Sequence, residues 1–107
     1  MSHDRLYVFA LNMVLNNKAH LDDFFSSAVE NNPMFRSELK GKRDELREIV
    51  KNINQKFTEY SFFNSDTRQT SWTIEKISEV CADCHKARLK IFEYMNEINN
   101  LMVALLS

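Results

Sequence analysis

The chain has almost no residues of the kinds that reverse a polypeptide backbone. Its 107 residues include one glycine, Gly41, and one proline, Pro33. A fold of many short strands needs a tight turn between neighbouring strands, and such turns depend on glycine and proline. Hydrophobic residues make up 44% of the sequence, which is enough for one core and argues against disorder. The sequence therefore predicts an all-α fold of a few long helices.

Two interruptions in the apolar periodicity divide the chain into three segments. The first is ENNPMF, where Pro33 suits the first position of a helix. The second is FFNSDTRQTS, which contains four candidate helix N-caps, namely Ser65, Asp66, Thr70 and Ser71. We expect a single domain over residues 1–107, formed by three antiparallel helices at about 2–31, 33–62 and 70–106 and completed by self-association.

The third segment carries apolar residues at alternating steps of three and four. This heptad row consists of Ile74, Ile77, Cys81, Cys84, Arg88, Ile91, Met95, Ile98, Met102 and Leu105. Such a row is typical of a helix that packs along its length against other helices. Arg88 is its single polar member, and it either reaches solvent along its aliphatic stem or pairs with an acid on a neighbouring chain.

Cys81, Cys84 and His85 form a C-x-x-C-H motif in this segment. Both cysteines occupy positions where helix packing favours apolar side chains, so we interpret them as small hydrophobes and expect no cofactor and no metal. The alternative is attachment of haem c, with thioethers to both cysteines and a bond from the histidine to iron. A zinc site completed by His20 or His3 is a further interpretation.

The stretch CADCHKARLK resembles part of cytochrome c-prime, a family of four-helix c-type cytochromes that carries this motif on its last helix. The resemblance covers about ten residues and implies haem ligation through Cys81, Cys84 and His85, for electron transfer or gas binding. The rest of the chain departs from that family. It has three predicted helices, a longer segment after the motif, and none of the glycines that usually precede the motif.

The distribution of charge argues against a partner that is attracted mainly by a large net charge on this protein. With 14 basic and 15 acidic residues, the formal net charge is -1, so no global field draws the protein to nucleic acid or to an anionic membrane. One basic cluster is interleaved with acids and is interpreted as a solvated face, namely Lys40, Lys42, Arg43 and Arg47. The start of the chain lacks the pattern of a secretory signal, and the apolar run from Leu6 to Leu11 is shorter than the ~20 residues of a transmembrane helix. We therefore expect a cytoplasmic protein.

The end of helix three predicts a surface for binding another protein. At ~1.5 Å per residue, this helix is about 10 Å longer than the others, so its end NEINNLMVALLS should project beyond helix one. Exposed apolar surface of this kind is typical of an interface. We expect it to bind a partner through Ile98, Leu101, Met102, Leu105 and Leu106.

Two kinds of partner fit this surface. A second copy would give a homodimer, and a helix of a different protein could lie in a groove between helices one and three. No catalytic constellation is evident in the sequence. We therefore expect a non-enzymatic protein that acts through helix packing, as a chaperone, an adaptor, or a small regulator or inhibitor.

Overall fold

Three long helices form a bundle, as predicted. The structure, a computed structural model, describes residues 3–61, 63–64, 69–70 and 72–107, with the side chains of residues 5–61 and 72–107. The helices are α1 at His3–Phe25, α2 at Lys40–Tyr60 and α3 at Ile74–Leu106, and a π-helical turn at Ser26–Glu30 extends α1. Two short strands, β1 at Phe63–Asn64 and β2 at Gln69–Thr70, pair antiparallel between α2 and α3, with Phe63 opposite Thr70.

Helix α1 runs parallel to α3 and packs along it. Near the start of both helices, the hydroxyl of Tyr7 donates a hydrogen bond of 3.1 Å to the carbonyl oxygen of Trp72. Further along, the rings of Phe24 and Phe92 lie 5.0 Å apart between centroids. Because the order of contacts is the same along both helices, the start of α1 lies beside the start of α3.

Helix α2 packs against α3 in the opposite direction. Lys56, near the end of α2, forms an ion pair of 2.7 Å with Asp83, whereas Lys42, near its start, forms one of 3.1 Å with Glu97. Helix α3 thus lies against both other helices, and the molecule is elongated, with extents of 61 × 26 × 18 Å. Buried residues from all three helices form one core.

The buried row of α3 differs in part from the predicted heptad row. Its members are Ile77, Val80, Cys84, Ala87, Ile91, Tyr94 and Ile98. The two rows share Ile77, Cys84, Ile91 and Ile98. Between these residues, the prediction placed Cys81, Arg88 and Met95, whereas the structure buries the residue before each of them. Helix α2 lies on the side of α3 that carries Asp83 and Lys90. At each position where the two rows differ, the buried residue is therefore the one nearer to α2.

Helix α2 begins at Lys40, whereas the sequence predicted a start at Pro33. The amide of Met34 donates a hydrogen bond of 3.0 Å to the side-chain oxygen of Asn32, which forms a local turn. Phe35 then has φ 54°, in the left-handed region, which a right-handed helix cannot include. The connection between α1 and α2 is consequently longer than the sequence indicated.

Helix α3 begins at Ile74, later than the predicted residue 70. Its N-cap is Thr73, whose side-chain oxygen accepts a hydrogen bond of 3.2 Å from the amide of Lys76. Of the predicted caps, Thr70 belongs to β2, whereas Ser65, Asp66 and Ser71 lie outside the described residues.

The position of Arg43 differs from the prediction. It was assigned to the solvated face of α2, but it is buried, and its Nε atom has no hydrogen-bond partner in the described part of the chain. The neighbouring charges of α2 are exposed, as predicted. None of the described helices combines the length and the apolar character that a membrane crossing requires.

Candidate functional site

One side of α3 carries exposed apolar side chains outside the core. Steps of three and four residues place seven positions on a single stripe, namely His85, Arg88, Phe92, Met95, Asn99, Met102 and Leu106. Phe92 is 53% exposed and Leu106 is 82% exposed. An amphipathic helix normally turns such residues toward a neighbour, but among the described residues much of this stripe stays exposed.

Helix α1 has a matching stripe near α3. It consists of Leu6, Phe9, Met13, Asn16, His20, Asp23 and Ser27. Phe9 is 64% exposed, and about half of each of Leu6 and Met13 is exposed. The apolar members lie in the first half of α1, whereas those of α3 lie in its second half.

The two stripes meet where the end of α1 lies beside the middle of α3. Between them is an open groove of about 420 Å³, lined by His20, Asp23, Phe24, Ser27, Arg88 and Phe92. The contact between the rings of Phe24 and Phe92 forms part of this groove. We refer to the two seven-residue stripes together as the α1–α3 face.

The centre of the α1–α3 face is polar. Arg88 and Asp23 both line the central groove, but neither forms an ion pair within the part of the chain that the structure describes. His20 and His85 are exposed nearby. The face therefore has a centre with one positive and one negative side chain and two apolar ends.

The predicted partner-binding residues divide into two groups. Ile98 is only 7% exposed and belongs to the core. Leu101 is half-buried against that core. Met102, Leu105 and Leu106 are exposed, which agrees with the prediction that the end of α3 projects beyond the bundle.

The prediction did not include the apolar residues of α1 in this surface. Leu6, Phe9 and Met13 were not among the residues predicted to bind a partner. The structure leaves these three side chains exposed at the end of the molecule opposite the end of α3. The signal was the breadth of the apolar side of α1, which exceeds what one neighbouring helix covers.

The cysteines of the C-x-x-C-H motif have different surroundings. Cys84 is completely buried, and this burial raises the pKa of its thiol from 9.0 to about 11. Cys81 is half-buried and accepts a hydrogen bond of 3.8 Å from the side-chain amide of Asn17, and burial raises its pKa as well. Both thiols are therefore protonated at neutral pH and are poor nucleophiles.

This packing favours the interpretation of the cysteines as small hydrophobes. A thioether to haem would attach a large ring system at Cys84, a side chain with no exposed surface. Such an attachment would require α3 to separate from its neighbours, so this arrangement of residues does not fit haem. His85 is exposed on the surface of α3.

The zinc ligands proposed from the sequence do not form a ligand set among the side chains that the structure describes. In that part of the chain, no group of three histidine, cysteine, aspartate or glutamate side chains is placed so that it could hold a metal ion. His20 lies on the exposed stripe of α1, and Cys84 lies in the core. The side chain of His3 is outside the described part of the chain.

A second groove, of about 540 Å³, lies between α2 and α3. Lys56 on its rim is held by Asp83 at 2.7 Å and by Glu79 at 2.8 Å. The Lys56 ammonium and the Tyr60 hydroxyl, through hydrogen bonds to Glu79, lower the pKa of that carboxyl. These charges connect α2 to α3, so we interpret this groove as a structural junction.

No family model, no curated protein and no solved structure matches this chain. The geometry of the α1–α3 face is therefore the main basis for an inference about function.

Proposed function

We propose that this chain is a non-enzymatic helical bundle that binds another protein through the α1–α3 face. The observation that carries the proposal is the exposed surface formed by the stripes of α1 and α3. Three of its side chains, Phe9, Phe92 and Leu106, are each more than half exposed to solvent. Their spacing along two parallel helices suits contacts with one or two helices of a partner.

The energetics of apolar burial support this proposal. Complete burial of a leucine, methionine or phenylalanine side chain stabilises a protein by about 1.5–3 kcal/mol relative to exposure. The α1–α3 face holds several such side chains in a partly exposed state, and a partner that covers them gains a fraction of that free energy from each. Exposed apolar patches on a small domain are typical of interaction sites.

The remaining features are consistent with a binding protein of the cytoplasm. Both cysteines are free, and free thiols are usual in that reducing compartment. The nearly balanced charge favours a protein partner over nucleic acid. Within this proposal, the chain acts as a chaperone, an adaptor, or a small regulator or inhibitor.

A photo-crosslinking experiment tests the proposal. Phe92 is replaced by benzoyl-phenylalanine, which adds one phenyl ketone to a side chain that is already exposed on the α1–α3 face. In the control variant, the same amino acid replaces Glu48, which is exposed on α2. We expect irradiation of cells that produce the variants to give protein adducts from position 92 and few from position 48.

The mass of each adduct identifies its second component. An adduct of twice the chain mass would indicate a second copy, and any other mass would indicate a different protein. Equal yields from both positions, or no adducts from either, would contradict the proposed function.

A further inference from the structure

We infer that the occupant of the α1–α3 face is a second copy of this chain, packed antiparallel about a twofold axis at the level of Arg88 and Asp23. This inference rests on the proposed function, since it names the partner of the same surface. Three observations support it: the positions of the apolar ends, the charges at the centre, and the exposed area.

The apolar ends of the face are equally far from its centre. Met102 follows Arg88 by 14 residues on α3, and Phe9 precedes Asp23 by 14 residues on α1. At ~1.5 Å per residue, each end lies about 21 Å from the centre. A twofold axis across the helices therefore places Met102 of one copy over the end of the second copy that carries Phe9.

The contacts between α1 and α3 determine which residues are at the same level. The pairs Tyr7 with Trp72 and Asn17 with Cys81 are separated by 65 and 64 residues in sequence. Phe9 is therefore level with Ile74, which is also exposed. In the dimer, the projecting end of α3 would pack against this apolar region of the second copy. In a single chain, both of these surfaces stay uncovered.

In such a dimer, the charged side chains at the centre gain opposite charges from the second copy with which they can pair. The axis brings together the Arg88 and Asp23 side chains of both copies, which are two positive and two negative groups. Neither residue forms an ion pair within the described part of a single chain. Charge complementarity of this kind favours the correct register and disfavours other partners.

The apolar side chains of the face are exposed over much of its length. The apolar side chains of the face and the end of α3 are each between about a third and four-fifths exposed. An interface of standard size takes ~800 Å² from each partner, and the apolar ends of the face offer exposed side chains for such a contact. A single foreign helix in the central groove would leave the projecting end of α3 exposed, whereas a second copy covers both.

Two charge-reversed variants test this inference by sedimentation equilibrium of the purified full chain. We expect the wild type to dimerise, and Asp23→Arg and Arg88→Asp each to weaken dimerisation by tenfold or more, because each collects four like charges at the axis. An equimolar mixture of the two variants should form a heterodimer, because its central charges cancel again. Far-UV circular dichroism of each variant monitors the fold.

A disulfide experiment tests the antiparallel register. Mild oxidation of the double variant Phe9→Cys with Met102→Cys should give a covalent dimer, whereas each single variant should give much less. A monomeric wild type at high concentration would overturn the inference, as would variants that dimerise as tightly as the wild type. If the wild type is monomeric but position 92 crosslinks to a different protein, the proposed function stands and the second copy is excluded.

Discussion

Adjacent residues on α3 give a sharp test of which side of this helix faces the core. Tyr94 is 1% exposed, whereas Met95, the residue that the heptad row predicts to be buried, is 38% exposed. Replacing each by alanine removes a large side chain from the same turn of the same helix. The two variants therefore differ mainly in how much buried surface is lost.

The expected losses of stability follow from burial. An aromatic side chain covers about 150–250 Å², and each Å² of apolar surface contributes roughly 25 cal/mol. Tyr94→Ala should therefore lower the free energy of unfolding by about 3–5 kcal/mol, in the range of other deletions of buried aromatic side chains. Met95→Ala removes a partly exposed side chain and should cost about 1 kcal/mol.

Urea denaturation followed by far-UV circular dichroism measures both values. The measurements are made at one low protein concentration, because dimerisation would add to the apparent stability. Far-UV spectra without urea serve as the control, since both variants should keep their helix content. Equal losses, or a larger loss for Met95→Ala, would refute the position of α2 against α3 described above.

Three further predictions concern the thiols and the end of α3. Because burial raises the pKa of Cys84 from 9.0 to about 11, the protonated thiol favours the folded state; its contribution is complete below pH 9 and is lost as the pH rises through 11. Wild type should therefore lose up to about 3 kcal/mol more than Cys84→Ala over this range in urea titrations, and parallel pH profiles would contradict this. The purified protein should show no Soret absorption after acid–acetone extraction, and a retained Soret band would establish covalent haem at the C-x-x-C-H motif. Truncation after Asn100 should keep the circular dichroism of the bundle, because residues 102–107 are exposed and Leu101 is only half-buried. The truncation should weaken self-association in light scattering, and a collapse of the helix content would place the end of α3 in the core.

The sequence was sufficient to predict the class of fold and the three helices. With one glycine and one proline, the chain has few other solutions. The start of α2 could not be predicted, because no residue pattern in this segment marks the left-handed conformation of Phe35. The rotation of α3 could not be predicted either, since Val80 and Cys81 both satisfy a heptad row and only the position of α2 distinguishes them.

The candidate surface was predicted in part. The length of α3 was sufficient to predict that its end projects, and Leu105 and Leu106 are exposed there. Ile98 was assigned to the same surface because apolar spacing continues without a break from the core into the exposed end. Phe9 and Met13 were not assigned to it, because the sequence does not show which apolar residues of α1 lack a neighbour within the bundle.

The most direct test of the α1–α3 face as an interface is the change in amide NMR shifts when the isotope-labelled full chain is concentrated. We expect progressive shifts around Phe9, Phe92 and Met102, with little change around Glu48 on α2. Shifts centred on the exposed side of α2, or an unchanged spectrum at concentrations where the protein associates, would contradict this account.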